Sequence, residues 1–168
     1  LAQRDLSKVK IMWINYPHMP SGTQAPLSFF EELIAFAKKY QILLVNDNPY
    51  SFILNDEQIS LLRVEGAKEV ALELNSLSKS HNMAGWRVGM LAGKEKYLST
   101  ILRFKSNMDS CMYKPVQLAA VKALGLPKSW YDELNETYRI RREKVFELLE
   151  LLNCQYDTNQ VGLFVWAK

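Results

Sequence analysis

The sequence predicts an α/β fold with a mostly parallel sheet, and three observations support this prediction. Apolar, strand-like runs occur at residues 9–14, 41–46 and 70–75. Helical or loop segments separate these runs, which is typical of parallel strands joined by crossovers. A polar motif follows each run directly, where open α/β sheets place their ligands. We therefore expect one sheet with a ligand site at the carboxyl ends of its strands.

Composition narrows the class of protein. The chain has 168 residues, 48% of them hydrophobic, and a net charge of +3, which is typical of a globular protein with a packed core. The charges form no basic stripe interleaved with aromatic residues, so we expect no nucleic-acid partner. No apolar stretch approaches the roughly 20 residues needed to cross a bilayer, and we expect no membrane association. Cys111 and Cys154 lie far apart without CxxC spacing, which favours a reducing cytoplasm.

The crossover between the first two strands is predicted to be a helix over residues 27–40. Its apolar residues recur at helical spacing, and Ser28 with Glu31 suggests a capping box at its start. A short strand over residues 86–92 should follow the third run. Helices are then predicted over residues 94–106, 115–124 and 127–152, with Gly125 as a C-cap. The last of them should bury an apolar face, formed by Leu134, Tyr138, Val145, Leu148, Leu149 and Leu152.

Both ends of the sequence fall close to or within strand-like runs. The first run begins soon after Leu1, and residues 162–167 are again strand-like. From this pattern we expect the chain to be a fragment of a longer protein.

The polar motifs after the three strands are evenly spaced. Asn15 begins the first, Asp47-Asn48-Pro49-Tyr50 forms the second, and Ser76-Leu77-Ser78-Lys79 forms the third, so that about one strand and one crossover separate Asn15 from Asp47 and Asp47 from Lys79. Because parallel strands end at the same edge of a sheet, we expect the motifs to converge on one site. Arg87 follows Lys79 closely, and a guanidinium suits an anion such as phosphate. No cluster has metal-ligand spacing, and we expect no metal site.

These motifs, in this order, resemble the aminotransferase class I/II family, the fold-type I enzymes that use pyridoxal 5′-phosphate (PLP). The segment from Asn82 to Arg87 is most similar to the branch of alanine and LL-diaminopimelate aminotransferases. The resemblance implies a three-layer PLP-dependent transferase-like architecture. Residues 1–126 would be the second half of the large PLP-binding domain. Residues 127–168 would be a bridging helix and the start of a small α+β domain.

The resemblance also implies a role for each motif. Lys79 would form the internal aldimine with PLP and act as the general base, and Asp47 would pair with the pyridine nitrogen. Tyr50 and Asn15 would hydrogen-bond the phenolic oxygen of the cofactor. The phosphate group would be bound by Ser76, Ser78 and Arg87.

Each of these side chains also has a simpler interpretation when taken alone. Asp47 and Asn15 suit turns, Tyr50 could be a half-buried aromatic residue, and Arg87 could be a surface cation, although Trp86 and Val88 argue against its full exposure. His18 and His81 are interpreted as exposed or supporting residues rather than catalysts.

The implied reaction moves an amino group from an amino acid to a 2-oxo acid through pyridoxamine phosphate, in a homodimer. Residues 106–114 would face the partner subunit. One alternative is a β-elimination lyase or synthase of the same fold, because the cofactor-binding residues do not determine the fate of the substrate carbanion. Another is a fragment with no catalytic role of its own, and we expect residues 1–168 alone to be inactive.

Overall fold

The protein is described from a computed structural model, which covers residues 3–168. Four strands form one sheet, namely β1 (Ile11–Asn15), β2 (Leu43–Asp47), β3 (Ala71–Ser76) and β4 (Gly89–Gly93). Five helices accompany them, namely α1 (Leu27–Tyr40), α2 (Leu77–Ser80), α3 (Glu95–Met108), α4 (Lys114–Leu124) and α5 (Lys128–Leu151). Short 3-10 turns lie at Leu61–Arg63, Ala67–Glu69 and Ala84–Trp86.

The sheet has the order β1-β2-β3-β4. β1, β2 and β3 run parallel, and β4 pairs antiparallel with β3. The predicted mostly parallel sheet is therefore confirmed, together with the helical crossover between its first two strands. The predicted division at residue 126 stays a prediction.

Two clusters of buried apolar side chains hold the sheet and helices together. The larger packs α1 against β2 and β3 through residues that include Phe30, Ile34, Leu44 and Ala71. The smaller packs α4 against the start of α2 and the segment that follows it, and it consists of Leu77, Met83, Val88, Ala120 and Ala123. The carboxyl end of β3 therefore leads directly into a segment anchored by buried side chains.

The predicted capping box of α1 is wrong. The helix begins directly after Pro26, whose φ of −68° and ψ of 157° make it the N-cap, and no side chain caps the helix. Proline fixes its own φ near the helical value, and its carbonyl accepts from the amide N–H of Phe29 at 3.1 Å. Ser28 thus lies inside the first turn, where its hydroxyl cannot serve as the cap.

Three predictions for the second half of the chain also need correction. The predicted strand over residues 86–92 begins only at Gly89, because Arg87 adopts a left-handed φ of 54° that interrupts extended backbone. The strand-like residues 162–167 form no strand in the part of the chain described, where only an isolated bridge joins Tyr156 to Ala167.

The predicted buried face of α5 is the third correction. Leu134, Tyr138 and Leu149 are only half-buried, and Val145, Leu148 and Leu152 are exposed. Periodicity identifies an apolar face of a helix, but burial needs a second surface, and residues 3–168 do not cover this one. No helix within residues 3–168 combines the length and apolar composition that crossing a bilayer requires.

Candidate active site

The first two polar motifs meet at the carboxyl ends of β1 and β2. Asn15 and Asp47 are register partners in the parallel ladder, and Asn15 Nδ2 donates to the Asp47 carbonyl oxygen at 2.6 Å. Asn15 Oδ1 accepts from the backbone N–H of Met19 at 2.8 Å. The Asn15 amide therefore fastens the loop after β1 to the end of β2, and its second Nδ2 hydrogen is not used in these bonds.

The Asp47 carboxylate and the Tyr50 phenol influence each other. Burial raises the pKa of Asp47, although the residue is exposed at the end of β2. Tyr50 is 8% exposed, and both burial and the nearby Asp47 charge raise the pKa of its phenol. Within residues 3–168, neither the carboxylate nor the phenol forms a side-chain hydrogen bond or an ion pair. Both polar groups are thus free to bind another molecule.

Lys79 lies in α2, the single helical turn that follows β3. Leu77 anchors this turn through burial and through a hydrogen bond from its N–H to the Val88 carbonyl at 3.1 Å. Ser76, Ser78 and Lys79 are half-buried around the turn. In the described part of the chain, Lys79 Nζ has no hydrogen bond and no ion pair. Because β3 pairs with β2 in parallel, Lys79 follows the strand next to the one that ends at Asp47.

Arg87 is not enclosed, and the expectation that its neighbours would limit its exposure is wrong. Its side chain is exposed, as is that of Trp86 at 50%. A left-handed φ of 54° turns Arg87 back on the preceding turn, and Nη1 donates to the Ala84 carbonyl at 2.8 Å. The structure therefore brings Asn15 into contact with Asp47 and Tyr50 close to the Asp47 charge. Lys79 follows the neighbouring strand β3, and Arg87 lies at the surface.

Two glycines, Gly85 and Gly89, flank Arg87, and the backbone is closely approached at only one of them. A Cβ atom added at Gly89 would lie 3.0 Å from the Asn75 carbonyl oxygen on β3. A Cβ atom at Gly85 would have no neighbour within 4 Å. A side chain at position 89 would therefore press against the backbone of β3, whereas a side chain at position 85 would meet no neighbour.

A cleft of about 420 Å³ opens where β1 and β2 end. Trp13, Ile14, Asn15, Tyr16, His18 and Asp47 line it. His18 is exposed there, and its Nδ1 lies 2.7 Å from Ser21 Oγ. No group of three or more His, Cys, Asp and Glu side chains within residues 3–168 is arranged to hold a metal ion.

A buried polar network between β2 and β3 was not predicted from the sequence. The Glu73 carboxylate on β3 accepts hydrogen bonds from Ser60 Oγ at 2.8 Å, the Leu61 N–H at 2.9 Å and Asn46 Nδ2 at 3.0 Å. Asn46 Oδ1 in turn accepts from the Tyr16 N–H at 3.0 Å. The network therefore fixes the residue after Asn15 and the residue before Asp47. A carboxylate within an apolar strand run was the signal that could have revealed it.

His81 is buried and contacts two hydroxyl groups, which its local sequence does not indicate. It is 6% exposed, its Nδ1 lies 2.8 Å from Ser80 Oγ, and its Nε2 lies 3.2 Å from the Tyr131 hydroxyl. Burial lowers the pKa of the imidazole. The interpretation of His81 as a supporting residue fits this geometry, but its partner on α5 could not be identified from local sequence.

Known proteins share both the sequence and the fold of this chain. A family model described as aminotransferase class I and II matches residues 2–168. The chain is 40% identical to an LL-diaminopimelate aminotransferase of Dehalococcoides mccartyi over an alignment that covers 99% of this chain and 44% of that relative. It is 37% identical to the LL-diaminopimelate aminotransferase of Aquifex aeolicus over 96% of its own length and 42% of the relative.

Solved structures agree with these relatives. Substrate-bound BacF from Bacillus subtilis superposes with a TM-score of 0.92 at 34% identity, over 97% of this chain and 42% of BacF. A probable N-succinyldiaminopimelate aminotransferase from Thermus thermophilus gives a TM-score of 0.88 at 34% identity, over 95% of this chain and 43% of that protein. The chain thus spans less than half the length of the proteins it matches.

Members of the matched family are PLP-dependent, which agrees with the cofactor that the motifs imply. The α/β sheet with its three motifs and the match over almost the whole sequence lead to one conclusion: this chain belongs to the aminotransferase class I and II family.

Proposed function

We propose that the protein containing this chain is a PLP-dependent aminotransferase that moves an amino group from an amino acid to a 2-oxo acid. One observation carries the proposal. Asp47 and Lys79 follow neighbouring parallel strands, beside Asn15 and Tyr50, and neither ionisable side-chain group is used within residues 3–168. The relatives named above as aminotransferases support amino transfer over β-elimination.

The side chains at this edge of the sheet fit PLP in their chemistry. The cofactor has an aldehyde, a phenolic oxygen, a pyridine nitrogen and a phosphate. Each group has a matching side chain: an amine for the aldehyde, a phenol and an amide N–H for the phenolic oxygen, a carboxylate for the pyridine nitrogen, and a guanidinium with two hydroxyls for the phosphate. The residues are Lys79, Tyr50 with Asn15, Asp47, and Arg87 with Ser76 and Ser78. When bound, PLP supplies an electron sink for the negative charge that develops at the substrate Cα.

Asp47, Tyr50 and Asn15 would orient the pyridine ring of PLP. A carboxylate beside the pyridine nitrogen keeps that nitrogen protonated, because a nearby negative charge favours the charged form of the ring. The Tyr50 hydroxyl and the second Asn15 Nδ2 hydrogen would donate to the phenolic oxygen. Because Asn15 is fastened to Asp47 and Met19, this donor is held in place before the cofactor arrives.

Lys79 would both anchor the cofactor and move the proton. Its amine must be neutral to attack an aldehyde. Once released by the incoming amino acid, Nζ would take the proton from the substrate Cα. Arg87 has five N–H donors and gives only Nη1 to Ala84, so donors remain for a phosphate.

The first substrate to test is LL-diaminopimelate, because the relatives at 37–41% identity carry that name. Amino transfer would be measured with LL-diaminopimelate and a 2-oxo acid. Release of pyruvate and ammonia from cysteine-like substrates would be measured in parallel. Elimination without 2-oxo acid-dependent transfer would contradict the proposal.

Lys79 itself can be tested in the full-length protein by borohydride reduction followed by peptide mapping. The reduced cofactor mass should be found on Lys79. Lys79→Arg should lose that label and the near-visible absorbance band. Lys68→Arg, at an exposed lysine on a 3-10 turn, is the matched control and should keep both. A label that persists in Lys79→Arg would refute the assignment.

We further propose that the full-length protein is a cytoplasmic homodimer, with residues 106–114 at the subunit interface. The apolar side chains exposed on α3 and α4, such as Phe104, Met108 and Val121, support an interface there. Cys111 and Cys154 are free thiols, which fits a reducing compartment. Sedimentation analysis and cell fractionation test these two statements. Turnover by residues 1–168 alone would contradict our expectation that the full active site needs the rest of the protein.

A further inference from the structure

The first turns of α5 contact the segments that directly follow two of the three proposed cofactor motifs. Trp130 Nε1 donates to the Ser80 carbonyl at 3.2 Å, and the Tyr131 hydroxyl lies 3.2 Å from His81 Nε2. Ser80 and His81 immediately follow Lys79. These contacts join residues 50 positions apart in the sequence.

One turn further along α5, Asn135 holds the chain that follows Tyr50. Asn135 Oδ1 accepts from the Leu54 N–H at 2.6 Å, and its Nδ2 donates to the Phe52 carbonyl at 3.1 Å. Leu54 has a left-handed φ of 46°, which a branched aliphatic residue rarely adopts unless its surroundings hold it there. The Phe52 ring also lies 5.7 Å from the Tyr131 ring.

Tyr131 and Asn135 are four residues apart, so they lie on the same face of α5. That face touches the segment after Tyr50 and the segment after Lys79. Aromatic packing reinforces the second contact, since the His81 ring stacks on Trp130 at an interplanar angle of 16°. The imidazole is buried with both nitrogens beside hydroxyl groups, so a small displacement of α5 would strain or break its hydrogen bonds.

We propose that Trp130, Tyr131 and Asn135 are positioning residues, which together we name the α5 clasp, and that they set the location of Lys79 relative to Tyr50. The clasp acts through Ser80 and His81 on one side and through residues 52–54 on the other. A shift of α5 would therefore move the amine that transfers the proton. This inference rests on the proposed function only for its catalytic consequence, because the clasp itself is a property of the fold.

Hydrogen exchange in the full-length protein tests the clasp independently of catalysis. Tyr131→Phe removes one hydroxyl and keeps the ring. Amide exchange over residues 77–83 should accelerate about fivefold, because that ratio of rates corresponds to the net stabilisation by one hydrogen bond. Asn135→Ala should accelerate exchange at Leu54 by at least as much. Tyr138→Phe removes a hydroxyl from another half-buried tyrosine of α5 and should change neither segment. Exchange in Tyr131→Phe equal to that in Tyr138→Phe would overturn the proposal.

A kinetic isotope effect separates positioning from general destabilisation. With an amino acid deuterated at Cα, Tyr131→Phe should show a larger isotope effect on kcat than the unmodified protein, because a misplaced Lys79 slows proton transfer. The Tyr138→Phe effect should be unchanged. Faster exchange with an unchanged isotope effect would refute the catalytic consequence. If Lys79 proves not to carry the cofactor, the exchange result still decides whether the clasp exists.

Discussion

Glu73 offers the most exact test of how the fold supports the proposed site. Its carboxylate is 8% exposed and accepts three hydrogen bonds, from Ser60, Leu61 and Asn46. Glu73→Gln keeps the shape of the side chain and removes its charge. The Gln carbonyl can keep the bonds from Leu61 and Asn46, and the Ser60 hydroxyl can rotate to accept from the new amide.

The magnitude follows from the loss of charge in three hydrogen bonds. A bond to a charged group stabilises by about 1 kcal/mol more than a neutral one, which gives about 3 kcal/mol for three. The lower cost of burying a neutral amide offsets part of this loss, so the net destabilisation should be about 2 kcal/mol. That value corresponds to roughly 30-fold faster exchange of amides protected by the network.

Native-state hydrogen exchange of the Leu61 and Tyr16 amides measures this directly, since both N–H groups donate into the network. Glu69→Gln is the matched control, because Glu69 is exposed and paired only at the surface with Lys94. Exposed pairs contribute about 0–1 kcal/mol, so the control should change exchange by about fivefold at most. Equal protection of Leu61 in the two variants would refute the reasoning.

Three further predictions concern acid stability, sheet pairing and charge. Burial lowers the pKa of His81, so below the ordinary imidazole pKa of about 6.5 the unfolded chain binds more protons than the folded chain. The free energy of unfolding should therefore fall as the pH drops below that value, by at most about 1.4 kcal/mol per pH unit. His81→Asn should flatten this part of a stability-against-pH curve. An unchanged slope would contradict the attribution of the acid sensitivity to His81. Gly89→Ala should destabilise the protein by about 1–2 kcal/mol in thermal or denaturant unfolding, because the new methyl group meets the Asn75 carbonyl, whereas Gly85→Ala should cause no clash. Asp47→Asn should lower kcat on the order of 100-fold with amide protection retained, since its carboxylate bonds nothing within residues 3–168; activity close to that of the unmodified protein would exclude the proposed role.

Several features of the fold were predictable because they are local. The run Val70–Leu74 is apolar enough to indicate a strand, and the observed β3 overlaps it. Errors arose where backbone geometry at a single residue decided the outcome. Pro26 rather than Ser28 is the N-cap of α1, although the helix spans the predicted residues 27–40. The left-handed bend at Arg87 delayed β4.

The sequence by itself determined the parallel sheet, the family and the positions of Asn15, Asp47 and Lys79 at strand ends. Periodicity and short motifs encode these features within a few residues, and parallel strands necessarily end at one edge. Only the tertiary structure decided that Arg87 is exposed, that Glu73 accepts three buried hydrogen bonds and that α5 contacts the lysine turn. The Tyr131–His81 contact spans 50 residues, and such contacts depend on how whole elements pack, which no local pattern specifies.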